Sequence, residues 1–130
     1  MLNLNRRRVL AFAAVFAVPA VAVAQPASAV ELVMFEEPDC PWCKRWRQDI
    51  GGAYPKSKEG QRAPIRHVML HAQARSGVTL ASPVIYSPTF VLVRGGREVG
   101  RIQGYPGPDF FWSMLAELLH LLDRPPAPKT

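Results

Sequence analysis

The sequence is poor in cysteine: two residues in 130, Cys40 and Cys43. So small a number, with so short a gap, excludes a disulfide framework and points to chemistry at one place. A basic stripe is missing too. Of 16 lysines and arginines against 10 acidic residues, Arg6, Arg7 and Arg8 sit at the extreme N-terminus, and without them the balance falls to 13 against 10. No aromatics interleave with basic residues in the pattern nucleic acid requires, so a nucleic-acid partner is not expected. There is no internal repeat. At 48% hydrophobic and 20% charged, the chain is neither disordered nor collagen-like, and its length suits one domain.

The longest apolar run, residues 9–24, holds 16 residues, includes Pro19 and follows the basic residues 6–8. A membrane span needs about 20 apolar residues. Small residues follow at Ala22, Ala24, Ala27 and Ala29. The n-region, h-region and A-x-A pattern predicts a secretory signal peptide over residues 1–29, removed on export, with an uncleaved anchor as the rival reading. Arg6-Arg7 also resembles a twin-arginine signal, which leaves the export route open. The mature domain is then residues 30–130, enough for one modest core.

Within it, residues 31–36 form a nearly continuous apolar run that reads as a buried strand. Residues 38–41 break it, and Cys43, Trp46 and Ile50 then fall on one face of a helix. Pro41 suits the first helical turn, where its missing N–H costs nothing. Gly51-Gly52 is expected to end that helix. Residues 54–64 read as a polar connection, residues 65–71 as a second strand, and residues 72–87 as ambiguous. Residues 89–93 are a β-rich strand, residues 94–97 a hairpin turn and residues 98–103 its partner. From Pro108 onward, Phe110, Phe111, Met114, Leu115, Leu118, Leu119 and Leu122 form a helical stripe read as core. The Pro-rich tail, residues 124–130, is expected to fray. Strand, helix, strand at the front implies a parallel pair, and the hairpin adds antiparallel strands. An α/β fold results, with a mixed central sheet flanked by helices.

Two thiols three residues apart at a helix start lie one turn apart and can form a disulfide. The orphan N–H groups and positive dipole end there favour a thiolate, the reactive form. Cys40, preceding the helix proper, is the expected exposed attacker, and Cys43, beside Trp46, the buried residue that resolves the mixed disulfide. Lys44, Arg45 and Arg47 add positive charge, whereas Glu36, Glu37 and Asp39 oppose it. Two other readings compete. The C-x-x-C could be half of a zinc site completed by His67 and His71, though that spacing is unlike a usual finger. Alternatively it could be a purely structural disulfide, which would remove little chain entropy across so short a gap. The redox reading is preferred, with no metal and no bound cofactor.

A strand ending in Phe35, a Cys-Pro-Trp-Cys opening a helix, a later Ser87-Pro88-Thr89-Phe90 and a Gly-rich hairpin together resemble the thioredoxin superfamily. The resemblance spans nearly the whole mature domain. It implies a thioredoxin-like fold and a cis Pro88 that packs beside the cysteines and helps hold the partner's chain. Cys40, Cys43 and Pro88 are thereby the catalytic candidates, and Trp42, Pro41, Ser87 and Thr89 the candidates for substrate contact. More narrowly, residues 35–43, Tyr54-Pro55-Lys56-Ser57 and Gly104-Tyr105-Pro106-Gly107 resemble SoxS-type periplasmic thioredoxins of bacterial sulfur oxidation. That likeness implies a client such as the sulfur-carrier SoxYZ, whose swinging-arm cysteine becomes blocked, and a membrane thiol transporter as electron donor. No NADPH or flavin motif is present, so electrons must come from another protein. A periplasmic thiol oxidant or disulfide isomerase is the runner-up. A cysteine-dependent binding or metal-carrying module is the reading outside enzymes.

The pattern departs from ordinary thioredoxins at three points. Met34 stands where they carry a buried Asp, and Glu36 or Glu37 are the candidates to replace it. The dipeptide between the cysteines is Pro-Trp rather than Gly-Pro. The strand and helix that precede the active strand in full-length thioredoxins are missing from the domain. Trp42 either shapes partner contact or caps the site as a partly exposed aromatic. Trp46 and Trp112 read as core, and His67, His71 and His120 as surface or satisfied polar residues.

Overall fold

A computed structural model describes residues 14–19 and 29–125. Most of the signal-peptide expectation, residues 1–13 and 20–28, and the end of the tail, residues 126–130, lie outside the described residues. Residues 14–19 carry no helix or strand. Among the described residues no helix is long and apolar enough to cross a membrane.

Four strands make one mixed sheet in the order β2-β1-β3-β4, with β1 Val30–Glu36, β2 Ile65–Met69, β3 Thr89–Arg94 and β4 Arg97–Gln103. β1 runs parallel to β2 and antiparallel to β3, and β3 pairs antiparallel with β4. β1 reads as an unbroken apolar run because both its faces are covered. Leu32 and Met34 face one core with Phe90, Leu92 and Ile102; Val33 and Phe35 face a second with Val91 and Val93.

The first core is closed by α1 Pro41–Trp46, α2 Lys58–Arg62 and α3 Pro108–Leu121. Its centre is Trp46, whose ring lies 5.5 Å from that of Phe90, 5.9 Å from Phe111 and 6.1 Å from Tyr54. The second core is covered by the 3-10 turn Leu70–Arg75 and the segment after it, through Leu70, Val78, Leu80 and Val84. α3 approaches β4 closely at Gly100, where a side chain would collide with Leu118.

Several sequence expectations need correction. Residues 54–64 are not a plain polar connection. They hold a 3-10 turn, Tyr54–Lys56, and α2, capped by the Ser57 hydroxyl on the Gly60 N–H at 2.9 Å. Tyr54 is fully buried and donates to the Ala63 carbonyl at 2.7 Å. β2 ends at Met69, because the chain turns into Leu70–Arg75, so His71 is outside the strand. α1 passes into a π turn, Arg47–Gly51, before Gly52. The α3 stripe is narrower than its apolar residues suggest. Phe111, Leu115 and Leu119 are buried, but Phe110 is 68% exposed and Met114 39%. One sheet face takes up only about one stripe of a helix, and seven apolar residues span a wider arc.

Candidate functional site

The site is assembled where β1 ends beside the start of β3. Phe35 pairs with Thr89, so the chain leaving β1 toward the cysteines runs beside the loop that enters β3. After β1 the backbone turns sharply at Asp39, which takes a left-handed φ of 59°, a conformation Asp tolerates better than most residues. Cys40 is then the N-cap of α1 and Pro41 its first helical residue. The first-turn geometry brings the Cα atoms of Cys40 and Cys43 to 5.3 Å, and the two sulfurs are joined as a disulfide. The Cys43 N–H also points at the Cys40 sulfur, 3.2 Å away.

The two sulfurs are not equally accessible. Cys43 is 1% exposed, on the inward face with Trp46 and Ile50. Cys40, expected to be exposed, retains only 8%. As the N-cap, its sulfur accepts from the helix's own N–H, so little of the residue is left exposed. Pro41 is exposed, and Trp42 stands 60% exposed beside the disulfide.

The opposite wall is the 86–89 loop. The Ser87–Pro88 peptide bond is cis, and Pro88 is buried. Its carbonyl accepts from the Gly104 N–H at 2.7 Å, which ties the loop to the end of β4. The Ser87 hydroxyl oxygen accepts from the Glu37 N–H at 2.9 Å and lies 3.4 Å from the Cys43 sulfur. Thr89 must be corrected as a candidate for substrate contact. Its side chain is wholly buried and its hydroxyl donates to the Tyr86 carbonyl at 2.6 Å, so it shapes the loop from behind. Ile85 and Tyr86, which the sequence reading passed over, are exposed instead, at 67% and 53%. Trp42, between the cysteines in sequence, and Ile85 and Tyr86, just before the cis bond, are thus exposed apolar side chains.

Charges around the site are largely paired. Glu36 is nearly buried and accepts from Arg47 and from the His67 ring, the latter at 3.1 Å. Met34 is fully buried among apolar groups. Arg45 pairs with Asp49 at 3.1 Å, and the Tyr105 hydroxyl donates to Asp49 at 2.8 Å. Trp42, Asp49, Tyr105 and Pro106 line a groove of about 260 Å³ on one side of the disulfide. Ser87, Tyr86 and Gln103 line another of about 340 Å³. Burial first, and then the bond to Asp49, raises the Tyr105 phenol to about 12. No group of three or more potential metal ligands occurs among the described residues. Sequence reasoning missed the Ser87 contact, the Tyr105–Asp49 bond and the exposed Ile85-Tyr86 pair. All three depend on how the turns before β3 and after β4 fold back, which no periodicity encodes.

Chemically, this is a dithiol–disulfide couple at a helix start, with Cys40 slightly exposed and Cys43 sealed. The chain is similar to the reduced crystal form of the periplasmic thioredoxin SoxS from Paracoccus pantotrophus. Identity is 45% over 72% of this chain and 98% of that one, with a TM-score of 0.69. Two more distant structures share the fold. Trxlp from Edwardsiella tarda is 24% identical over 71% of this chain and 86% of its own, at a TM-score of 0.53. The Malassezia sympodialis thioredoxin is 19% identical over 72% and 78%, at 0.51. No protein-family model matches the chain, and no curated protein does.

Proposed function

The chain belongs to the thioredoxin superfamily and is a thiol–disulfide oxidoreductase, and from that premise we propose that it is an exported reductase that reactivates a protein client in the periplasm. The observation that carries this reading is the Cys40–Cys43 disulfide at the start of α1, with Cys40 slightly exposed and Cys43 sealed beside Ser87. A surface sulfur over a buried one suits stepwise exchange with another protein's sulfur.

Residues 1–29 serve as the signal peptide that delivers residues 30–130. This is supported by their n-region, h-region and cleavage pattern, and by likeness to a protein whose name places it in the periplasm. In the reducing direction the Cys40 thiolate attacks the client's disulfide or blocked thiol. A mixed disulfide forms, and the client's other sulfur leaves with the electron pair. Cys43 then loses its proton and attacks Cys40, closing the intramolecular bond and releasing the client sulfur as a thiolate. Two electrons have passed to the client. A membrane thiol transporter returns them by attacking Cys40 in the oxidised protein.

The client that the SoxS-type motifs favour is the sulfur carrier SoxYZ, whose arm cysteine must be kept unblocked. Pro41, Trp42 and Ser87 offer the surface on which that arm would lie, with the buried Pro88 shaping the loop behind it. Expressing Cys43→Ser in the periplasm removes the resolving thiol, so mixed disulfides at Cys40 accumulate. Mass spectrometry of the captured partners should identify a sulfur-carrier cysteine. Capture dominated by newly secreted proteins with unpaired cysteines would replace this reading with a thiol oxidant.

A further inference from the structure

Cys43 is 1% exposed and packed among Trp46, Met34 and other apolar groups. A thiolate in such a place is costly unless something donates to it. Every exchange nevertheless requires one. When an incoming thiolate attacks Cys40, a bond forms at that sulfur and the Cys40–Cys43 bond breaks, with the electron pair leaving on Cys43. When the bond is remade, Cys43 first releases its thiol proton to solvent. Its thiolate then attacks Cys40, and the partner's sulfur departs with the pair.

Among the described residues one polar side chain reaches this sulfur: the Ser87 hydroxyl, 3.4 Å away and half-buried. Its orientation follows from its other partner. The Glu37 N–H donates to the same oxygen at 2.9 Å, occupying an acceptor position and leaving the hydroxyl hydrogen free to point elsewhere. A disulfide sulfur has no hydrogen to give, so between Ser87 and Cys43 the hydroxyl is the donor. The loop cannot easily swing away. The Pro88 carbonyl is held by Gly104, and Thr89 holds the Tyr86 carbonyl.

We propose that the Ser87 hydroxyl is the built-in donor that stabilises the Cys43 thiolate each time the Cys40–Cys43 bond opens or closes. This rests on the exchange reading above. Ser87 keeps its own proton throughout, because an alcohol is far too weak an acid to give it to a thiolate. It acts by hydrogen bonding, and such bonds to charged groups exceed those between neutral partners. The role is specific to Cys43: Cys40 has its own donor in the Cys43 N–H.

Two measurements on the purified chain test this. In a Cys40→Ser background the remaining thiol is titrated by thiolate absorbance. Replacing Ser87 by Ala should move the Cys43 titration up by about one pH unit. Ser87→Thr should leave it near the parent, while Ser87→Val, equal to Thr in shape but lacking the hydroxyl, should reproduce the Ala result. In the two-cysteine protein, an aromatic disulfide reagent releases one chromophore on forming the Cys40 adduct and a second when Cys43 resolves it. The second release should slow about threefold in Ser87→Ala and Ser87→Val, and recover when the pH is raised by about half a unit, because the less acidic thiolate is also the better nucleophile. Equal Cys43 titrations in the Thr and Val variants would overturn the proposal, as would a lower melting temperature with an unaltered pH profile, because the serine would then only brace the loop. If the parent protein gave no second release, the exchange reading itself would fall, while the titration would still judge Ser87.

Discussion

Tyr105 donates its hydroxyl proton to Asp49 at 2.8 Å, tying the turn after β4 to the end of the helical segment that carries both cysteines. The phenol is buried, and burial together with the carboxylate holds it protonated up to about 12, above the ordinary value of about 10. Because the folded state keeps this proton more tightly than the unfolded chain, the stabilisation is present below about pH 10 and disappears as the pH climbs toward 12. Thermal unfolding between about pH 8 and 11 should show a steeper alkaline fall for the parent than for Tyr105→Phe. Parallel curves would show that the Asp49 bond does not persist in solution.

Accessibility at the disulfide gives the next expectation. After reduction, limiting alkylation at mildly acidic pH should mark Cys40 well before Cys43. Cys40 caps α1 and keeps some exposure, while Cys43 is sealed on the inward face with Trp46, beside Ser87. Peptide mapping of singly labelled protein reads the ratio. Labelling mainly at Cys43 would reverse the assigned roles of attacker and resolver.

Gly60 sets two ordinary effects against each other. Within a helix, Gly→Ala is usually stabilising by up to about 1 kcal/mol. Here an added Cβ would run into the carbonyl of Tyr54, which is backbone and cannot step aside. Overpacking of that kind costs roughly 1–3 kcal/mol, so Gly60→Ala should be destabilising overall. Denaturant unfolding decides it, and a gain in stability would mean that α2 and the Tyr54 turn do not meet as described.

That contact also marks where the sequence stopped being legible. β1, the hairpin and α3 carry their own periodicity and turn residues, so their positions and the parallel pairing of β1 with β2 could be read directly. The Cys40–Cys43 pair was legible because two local facts, spacing and a helix start, suffice. Tyr54 and α2 were not, since a five-residue helix has too few positions for a pattern and its meaning comes from a buried tyrosine that anchors it. Phe110 and Met114 misled for the opposite reason: an apolar residue on a helix need not face the core. Thr89 follows Pro88 in the client-contact pattern, yet β3 is buried on both faces and its hydroxyl is spent on the Tyr86 carbonyl.

The last expectation concerns the direction of electron flow. A stabilised Cys40 thiolate would favour the reduced protein and make it an oxidant. Three cations follow the cysteines, but Arg45 is engaged by Asp49 and Arg47 by Glu36. Only Lys44 of the three has no ion pair among the described residues. Glu37 and Asp39, immediately before Cys40, are exposed, and neither has an ion pair among the described residues. The local balance thus disfavours a strongly depressed thiolate. The Ser87 hydroxyl pulls the other way, but it acts on Cys43 and is one hydrogen bond. About 150 mV separates a thioredoxin near −270 mV from a strong oxidant near −120 mV, and at about 1.4 kcal/mol per 30 mV that gap is about 7 kcal/mol. One hydrogen bond to a charged group supplies about 1.5–3 kcal/mol. The potential should therefore lie nearer −270 mV than −120 mV, as equilibration with glutathione buffers would measure. Substituting Glu37 and Asp39 by Gln and Asn should raise it. A value on the oxidant side, with Cys40–Cys43 accumulating oxidised in cells, would make the protein a donor of disulfides instead of a reductase.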